Sequence, residues 1–208
     1  DKTGPQVSAS FGAKAQGGGW FGGDVPVTIT ASDHSGISQI AYQLDRRNPK
    51  GWVRINNRHK VTLTVGGEGT RTLYYNAKDK KGNWGKEKTL KIPIDRTAPK
   101  IAGEMAEEPN ENGWYNEDVV VQFEAEDQPN LSGLKSVTPD TVVSTEGKDQ
   151  EVVGEAEDHA GNTASITVGG INIDKTDPSS EIIFPEDGEY YNQESWEGKI
   201  SGTARDNL

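Results

Sequence analysis

The stretch Asp24-Val25-Pro26-Val27-Thr28-Ile29-Thr30-Ala31-Ser32-Asp33 decides the fold. Val25, Val27, Ile29 and Ala31 are apolar and alternate with other partners. A period of two describes a strand with one face in a core and one in solvent. The pattern returns as Asp118-Val119-Val120-Val121-Gln122-Phe123-Glu124-Ala125-Glu126-Asp127, with Val119, Val121, Phe123 and Ala125 on the apolar face. A tryptophan precedes each closing aspartate by the same interval: Trp20 to Asp33 and Trp114 to Asp127 both span 13 residues.

Working outward from these two strands, the flanks repeat as well. Gly19-Trp20-Phe21 matches Gly113-Trp114-Tyr115, and Ser35-Gly36-Ile37 matches Ser132-Gly133-Leu134. Ala77-Lys78-Asp79-Lys80-Lys81-Gly82-Asn83 matches Ala156-Glu157-Asp158-His159-Ala160-Gly161-Asn162. The pattern Asp-Lys/Arg-Thr-x-Pro starts at Asp1, Asp95 and Asp174, 94 and then 79 residues apart. These marks divide the chain into repeats at 1–94 and 95–173, and the opening portion of a third at 174–208. In that last portion Tyr190-Tyr191-Asn192 and Ile200-Ser201-Gly202-Thr203-Ala204-Arg205-Asp206 follow the start of the pattern.

Further strands are expected at Ile37 to Leu44, Trp52 to Ile55, Val61 to Val65, Arg71 to Asp79 and Glu87 to Ile94. Gly, Pro, Asn and Asp clusters separate them at ~8–12 residue spacing, and no stretch shows a helical period. Roughly seven short strands per repeat suit an immunoglobulin-like sandwich. The expected fold class is all-β: tandem immunoglobulin-like β-sandwiches arranged as an elongated rod. Pro5, Pro99 and Pro178 limit bending at the joints.

Composition agrees with several thin cores rather than one deep core. Only 31% of the 208 residues are hydrophobic, and no apolar run approaches the ~18 residues of a membrane span. There is no cysteine, which excludes disulfides, thiolate metal sites and a cysteine nucleophile. The chain begins Asp1-Lys2-Thr3 without an initiator Met, so it is expected to be a piece of a longer protein.

Ile40-Ala41-Tyr42-Gln43-Leu44-Asp45, Gly69-Thr70-Arg71-Thr72-Leu73-Tyr74-Tyr75, Asp79-Lys80-Lys81-Gly82-Asn83 and Ile94-Asp95-Arg96-Thr97-Ala98-Pro99 follow one another in the first repeat. In this order they resemble the bacterial Ig-like (Big-type) repeats of large secreted and wall-anchored surface proteins. The resemblance covers 1–173, less closely in the second repeat, which lacks the Tyr-x-Leu-Asp segment. It implies an extracellular location, secreted or anchored to the bacterial cell surface. It also implies a spacer or stalk that positions an adhesive or catalytic domain. The alternatives are an adhesin module and an accessory region of a secreted hydrolase.

The expectation of a non-catalytic chain has its own support. No Gly-x-Ser-x-Gly elbow, His-Glu-x-x-His or phosphate-cradling loop occurs, and His34, His59 and His159 are scattered. The expected partners are the flanking domains of the same chain, with a monomeric state, no membrane insertion and no cofactor other than calcium.

For calcium the candidate ligands are Asp95, Asp127, Asp158 and Asn162, which an Ig-like topology gathers at one pole of the second repeat. A hard cation takes ~6–8 oxygens from carboxylates, amides and carbonyls. In the first repeat Asp1, Asp24, Asp33, Asp79 and Asn83 converge in the same way, but Lys80 and Lys81 oppose a cation there. The competing reading is that aspartate in Asp-x-x-Gly-Asn accepts backbone N–H groups and fixes a turn.

The formal net charge of −11 is uneven: 1–94 carries +8, 95–173 carries −13 and 174–208 carries −6. Arg46, Arg47, Lys50, Trp52, Arg54 and Arg58 form a basic cluster around an aromatic, a candidate site for an anionic glycan or cell-wall polymer, with nucleic acid the weaker match. The competing reading is a solvated sheet face. Trp20 and Trp114 occupy one repeat position, with Tyr190 at the matching place, and are expected to pack.

Overall fold

The computed structural model describes every residue except Asp1, Arg46, Arg47, Pro49, Ser195 and Glu197. Among the described residues the regular structure is all β apart from one 3-10 turn, Gly17–Gly19. The first repeat holds β1 (Gln6–Phe11), β2 (Val25–Ser32), β3 (Ile37–Leu44), β4 (Val53–Asn56), β5 (Lys60–Val65), β6 (Gly69–Asp79) and β7 (Lys88–Ile94). They form two antiparallel sheets, ordered β1-β2-β5 and β4-β3-β6-β7. This strand order is that of an immunoglobulin-like sandwich.

The alternation in β2 does what period two requires. Val25, Val27 and Ile29 are wholly buried, and Val27 and Ile29 sit opposite Leu63 and Val61 of β5. Across the core they join Ile40 of β3, Leu73 of β6, and Ile92 and Ile94 of β7. Each such side chain contributes ~1.5–3 kcal/mol on burial.

The chain divides into two compact units: 1–102 with 124–138 and 155–166, and 103–123 with 139–154 and 167–208. The sequence repeats continue with β8 (Lys100–Met105), β9 (Val119–Glu126), β10 (Leu134–Val137), β11 (Thr141–Val143), β12 (Gly147–Asp158) and β13 (Thr163–Ile173). Their sheets run β11-β9-β8 and β10-β12-β13. The strand matching β4 is missing, because only Thr138, Pro139 and Asp140 join β10 to β11. That loss accounts for most of the shortening from 94 to 79 residues. Within the second unit Tyr115, Val119, Val121, Phe123, Val168, Ile171 and Ile173 are buried. The Phe123 ring lies against Gly103 and Gly154, where a Cβ on either would overlap it.

The last portion pairs β14 (Ser179–Phe184) with β15 (Ser201–Arg205). Apart from half-buried Phe184, both strands are exposed. Phe184 packs on Tyr191 and Trp196 at ring separations of 5.0 and 5.7 Å. Tyr190 is 99% exposed. Trp20 and Trp114 are half-buried, while the following aromatic, Phe21 or Tyr115, is buried. The packing position is therefore the second aromatic of each pair.

The Asp-Lys/Arg-Thr motif acts as a clasp on that second aromatic. The Phe21 N–H donates to the Pro93 carbonyl at 3.0 Å, and the Asp95 N–H donates to the Phe21 carbonyl at 2.9 Å. Arg96 pairs with Asp24, and the Thr97 hydroxyl donates to Glu68 at 2.6 Å. In the second unit Tyr115 bonds Asn172 and Asp174 through the same backbone groups. There Lys175 pairs with Asp118, and the Thr176 hydroxyl donates to Glu146 at 2.8 Å. Short donors from Thr176 and Lys175 hold the Glu146 carboxyl below its ordinary pKa. Replacing Ile29 by Ala is expected to lower the stability of the first sandwich by ~2–5 kcal/mol in urea denaturation. Ile182→Ala, at a position 67% exposed, should change stability by no more than ~0.5 kcal/mol.

Candidate functional site

Three carboxylates meet inside the first unit. Asp95 follows the last residue of β7, Asp127 follows the last residue of β9, and Asp158 ends β12. An oxygen from each lies within 4.8 Å of the others. Asp95 and Asp158 are fully buried, and Asp127 is half-buried.

Backbone donors hold the three in place. Thr97 N–H donates to Asp95 Oδ1 at 3.0 Å and Ser132 N–H to its Oδ2 at 2.9 Å. Gly133 N–H donates to Asp127 Oδ2 at 2.6 Å. Asn162 donates its backbone N–H to Asp158 Oδ1 at 2.8 Å and its side-chain amide to Oδ2 at 2.7 Å. The same amide nitrogen donates to the Asp95 carbonyl at 3.1 Å. Asn162 therefore positions Asp95 and Asp158 through its N–H groups. Among the described residues no Lys, Arg or His forms an ion pair with any of the three. Asp127 Oδ1 and Gln128 Oε1 are buried without a hydrogen-bond partner. Buried oxygens without donors, beside uncompensated carboxylates, match the donor set of a hard cation.

The first repeat solves the same geometry differently. Asp79 is buried, and its Oδ1 accepts the N–H groups of Lys81 at 2.9 Å and Asn83 at 2.8 Å. Its Oδ2 accepts the Asn83 amide at 2.8 Å. Asp33 Oδ1 accepts both the N–H and the hydroxyl of Ser35, and Asp24 is engaged by Arg96. Asp1 lies outside the described residues. Turn fixing is the role Asp79 performs.

The basic cluster is only partly gathered. Arg46 and Arg47 lie outside the described residues. Lys50 and Arg58 are exposed in the segments that flank β4. Trp52 and Arg54 line an open groove of about 210 Å³ together with Ala41, Asn76, Trp84 and Glu87. Ala41 of β3 sits opposite Arg54 of β4 and Asn76 of β6, so the three share the sheet face turned away from the core. Trp84 reaches the groove because it bridges to Lys78, the residue two after Asn76. Asn76, Trp84 and Glu87 join this lining from segments distant in sequence. Their only sequence signal is the position of Trp84 directly after the Asp-x-x-Gly-Asn turn.

No protein-family model matches the chain, and no curated protein matches it. Among solved structures it is similar to the fibronectin(III)-like modules of Clostridium thermocellum CbhA, at 14% identity and a TM-score of 0.40. That match covers 80% of this chain and 95% of the other. Among the described residues no helix is long and apolar enough to cross a membrane.

Burial opposes the charge of Asp79, but the donors from Asn83, Lys81 and Ser35 outweigh it and hold the carboxyl below the ordinary aspartate range. A depressed folded-state pKa gives stability that is present above the ordinary value of ~4 and is lost as pH falls through the folded value. Acid titration of stability should therefore show a limb below about pH 4 that Asp79→Asn flattens. At pH 7 Asp79→Ala is expected to lower the urea midpoint of the first sandwich, because it strands the N–H donors of Lys81 and Asn83.

Proposed function

We propose that the chain is a non-catalytic Ig-like region of an extracellular bacterial protein, a spacer that positions flanking domains. In this reading a hard divalent cation, calcium by preference, locks the start of the second repeat on Asp95, Asp127 and Asp158. The observation that carries it is the meeting of three carboxylates within 4.8 Å, two of them buried, with no basic partner among the described residues. Two unit charges at that separation repel by about 3 kcal/mol at an effective dielectric of ~20. A divalent cation turns this repulsion into attraction. Asp127 Oδ1 and Gln128 Oε1 are further buried oxygens with no donor.

The lock serves a spacer because of where the ligands lie in the chain. Asp95 follows β7, whereas Asp127 follows β9 and Asp158 ends β12. Joining them restrains the segment at which one sequence repeat gives way to the next. Calcium sites of extracellular modules bind at ~10⁻⁴–10⁻³ M, which suits constitutive occupancy outside the cell.

Scanning calorimetry in calcium and in chelator tests this reading. Calcium at ~100 times its Kd should add about 2.7 kcal/mol to the transition that includes the cluster. That corresponds to a rise of several degrees in Tm. Asp127→Asn should abolish the response, and Asp33→Asn in the first repeat should leave it intact. A Tm unmoved by calcium, magnesium or manganese would overturn the lock.

A further inference from the structure

The geometry points to a saccharide subsite on the first repeat: the groove between Trp52 and Trp84 takes one pyranose ring of a neutral glycan. This goes beyond the spacer reading and does not depend on the cation. The floor of the groove is Ala41, whose small side chain is 3% exposed on the face of the β4-β3-β6-β7 sheet turned away from the core. Trp52 and Trp84, supplied by separate segments, line the same groove.

The Trp84 platform is fixed through its backbone, and the Lys78 ammonium lies 5.9 Å from the centroid of its ring. The Gly85 N–H donates to the Ala77 carbonyl at 2.9 Å, Trp84 bridges to Lys78, and the backbone of Gly4 and Pro5 packs closely against 84–85. The indole itself stays 46% exposed. A large aromatic anchored by its backbone and still partly exposed loses little entropy when a ligand stacks on it.

The polar groups select the ligand. Arg54 only donates, Glu87 only accepts when ionised, and Asn76 can do both. Glu87 within the lining works against an anion, while the Lys78 ammonium lies 5.9 Å from the Trp84 ring centroid and is not part of the lining. A sugar ring offers C–H faces to the indoles and hydroxyls that both donate and accept. The groove is open, and its 210 Å³ suits one ring of a longer chain. The anionic glycan expected from the arginines is thus replaced at this groove by a neutral one.

The test is calorimetric and fluorescence titration of the full chain with cellotetraose, mannotetraose and chitotetraose, and with heparin and oligogalacturonate as anionic probes, each in chelator. Saturable binding of at least one neutral tetrasaccharide, quenching tryptophan emission and little changed at about 0.5 M salt, is the expected result. Trp84→Ala and Trp52→Ala should each weaken it about tenfold or more, and Arg54→Ala, at an exposed position, should weaken it without lowering Tm. Should Trp52→Ala unfold the repeat, the Trp84 and Arg54 variants still decide. Binding of none of the neutral probes overturns the proposal. So does binding confined to the anionic probes and lost in salt, or a Trp84→Ala variant that binds as well as the parent.

Discussion

Ile94 and Asp95 are adjacent, both fully buried, and have opposite requirements. Ile94 completes the apolar interior of the first sandwich, whereas Asp95 brings a carboxylate that must find compensation. The parallel bridge between Phe21 and Ile94 sets both. It seats the Phe21 ring in the core, directs the Asp95 N–H to the Phe21 carbonyl, and leaves Arg96 and Thr97 to reach Asp24 and Glu68. The Asp95 carboxylate is consequently delivered to a fixed place. Tyr115 and Asp174 repeat the arrangement in the second unit, so the motif is spaced by the length of a sandwich and not by any local periodicity.

Buried aspartates then fall into two kinds. Asp79 is saturated: three short hydrogen bonds from its own turn reach its two oxygens. Its charge is stabilised locally, and the turn needs nothing else. Asp95, Asp127 and Asp158 each accept backbone or amide donors, but they also face one another, and Asp127 retains an oxygen with no donor. Burying an unpaired charge is costly unless a counter-ion or a network meets it. The repeats share a motif, yet Asp79 closes its electrostatics with hydrogen bonds, whereas Asp127 keeps an oxygen without a donor.

How far the sequence could be read follows the same division. β2 and β3 were legible to within a residue or so because their apolar faces are large and alternate strictly. β1 was not foreseen, since Val7 is its only fully buried residue and Ala9 and Ser10 carry little signal. Asp95, Asp127 and Asp158 were legible as a set because topology places the ends of alternate strands at one pole. The role of Asn162 was not, because an amide offers both a donor and an acceptor, and only its surroundings select which one is used. The groove was half legible: Trp52 and Arg54 stand close in sequence, but Asn76, Trp84 and Glu87 arrive from other strands.

The class of fold, the repeat and the residue types that carry charge are written in the order of residues, because alternation and turn chemistry are local properties of the chain. Tertiary structure alone decided which charges meet. Strand register, set by the packing of Ile29, Ile40, Leu73 and Ile94 across a shared core, fixes distances between residues that lie tens of positions apart. Strand topology brought Asp95, Asp127 and Asp158 together without a basic partner among the described residues. It also brought Trp52, Trp84 and Ala41 into the lining of one groove, a juxtaposition that no spacing along the chain encodes.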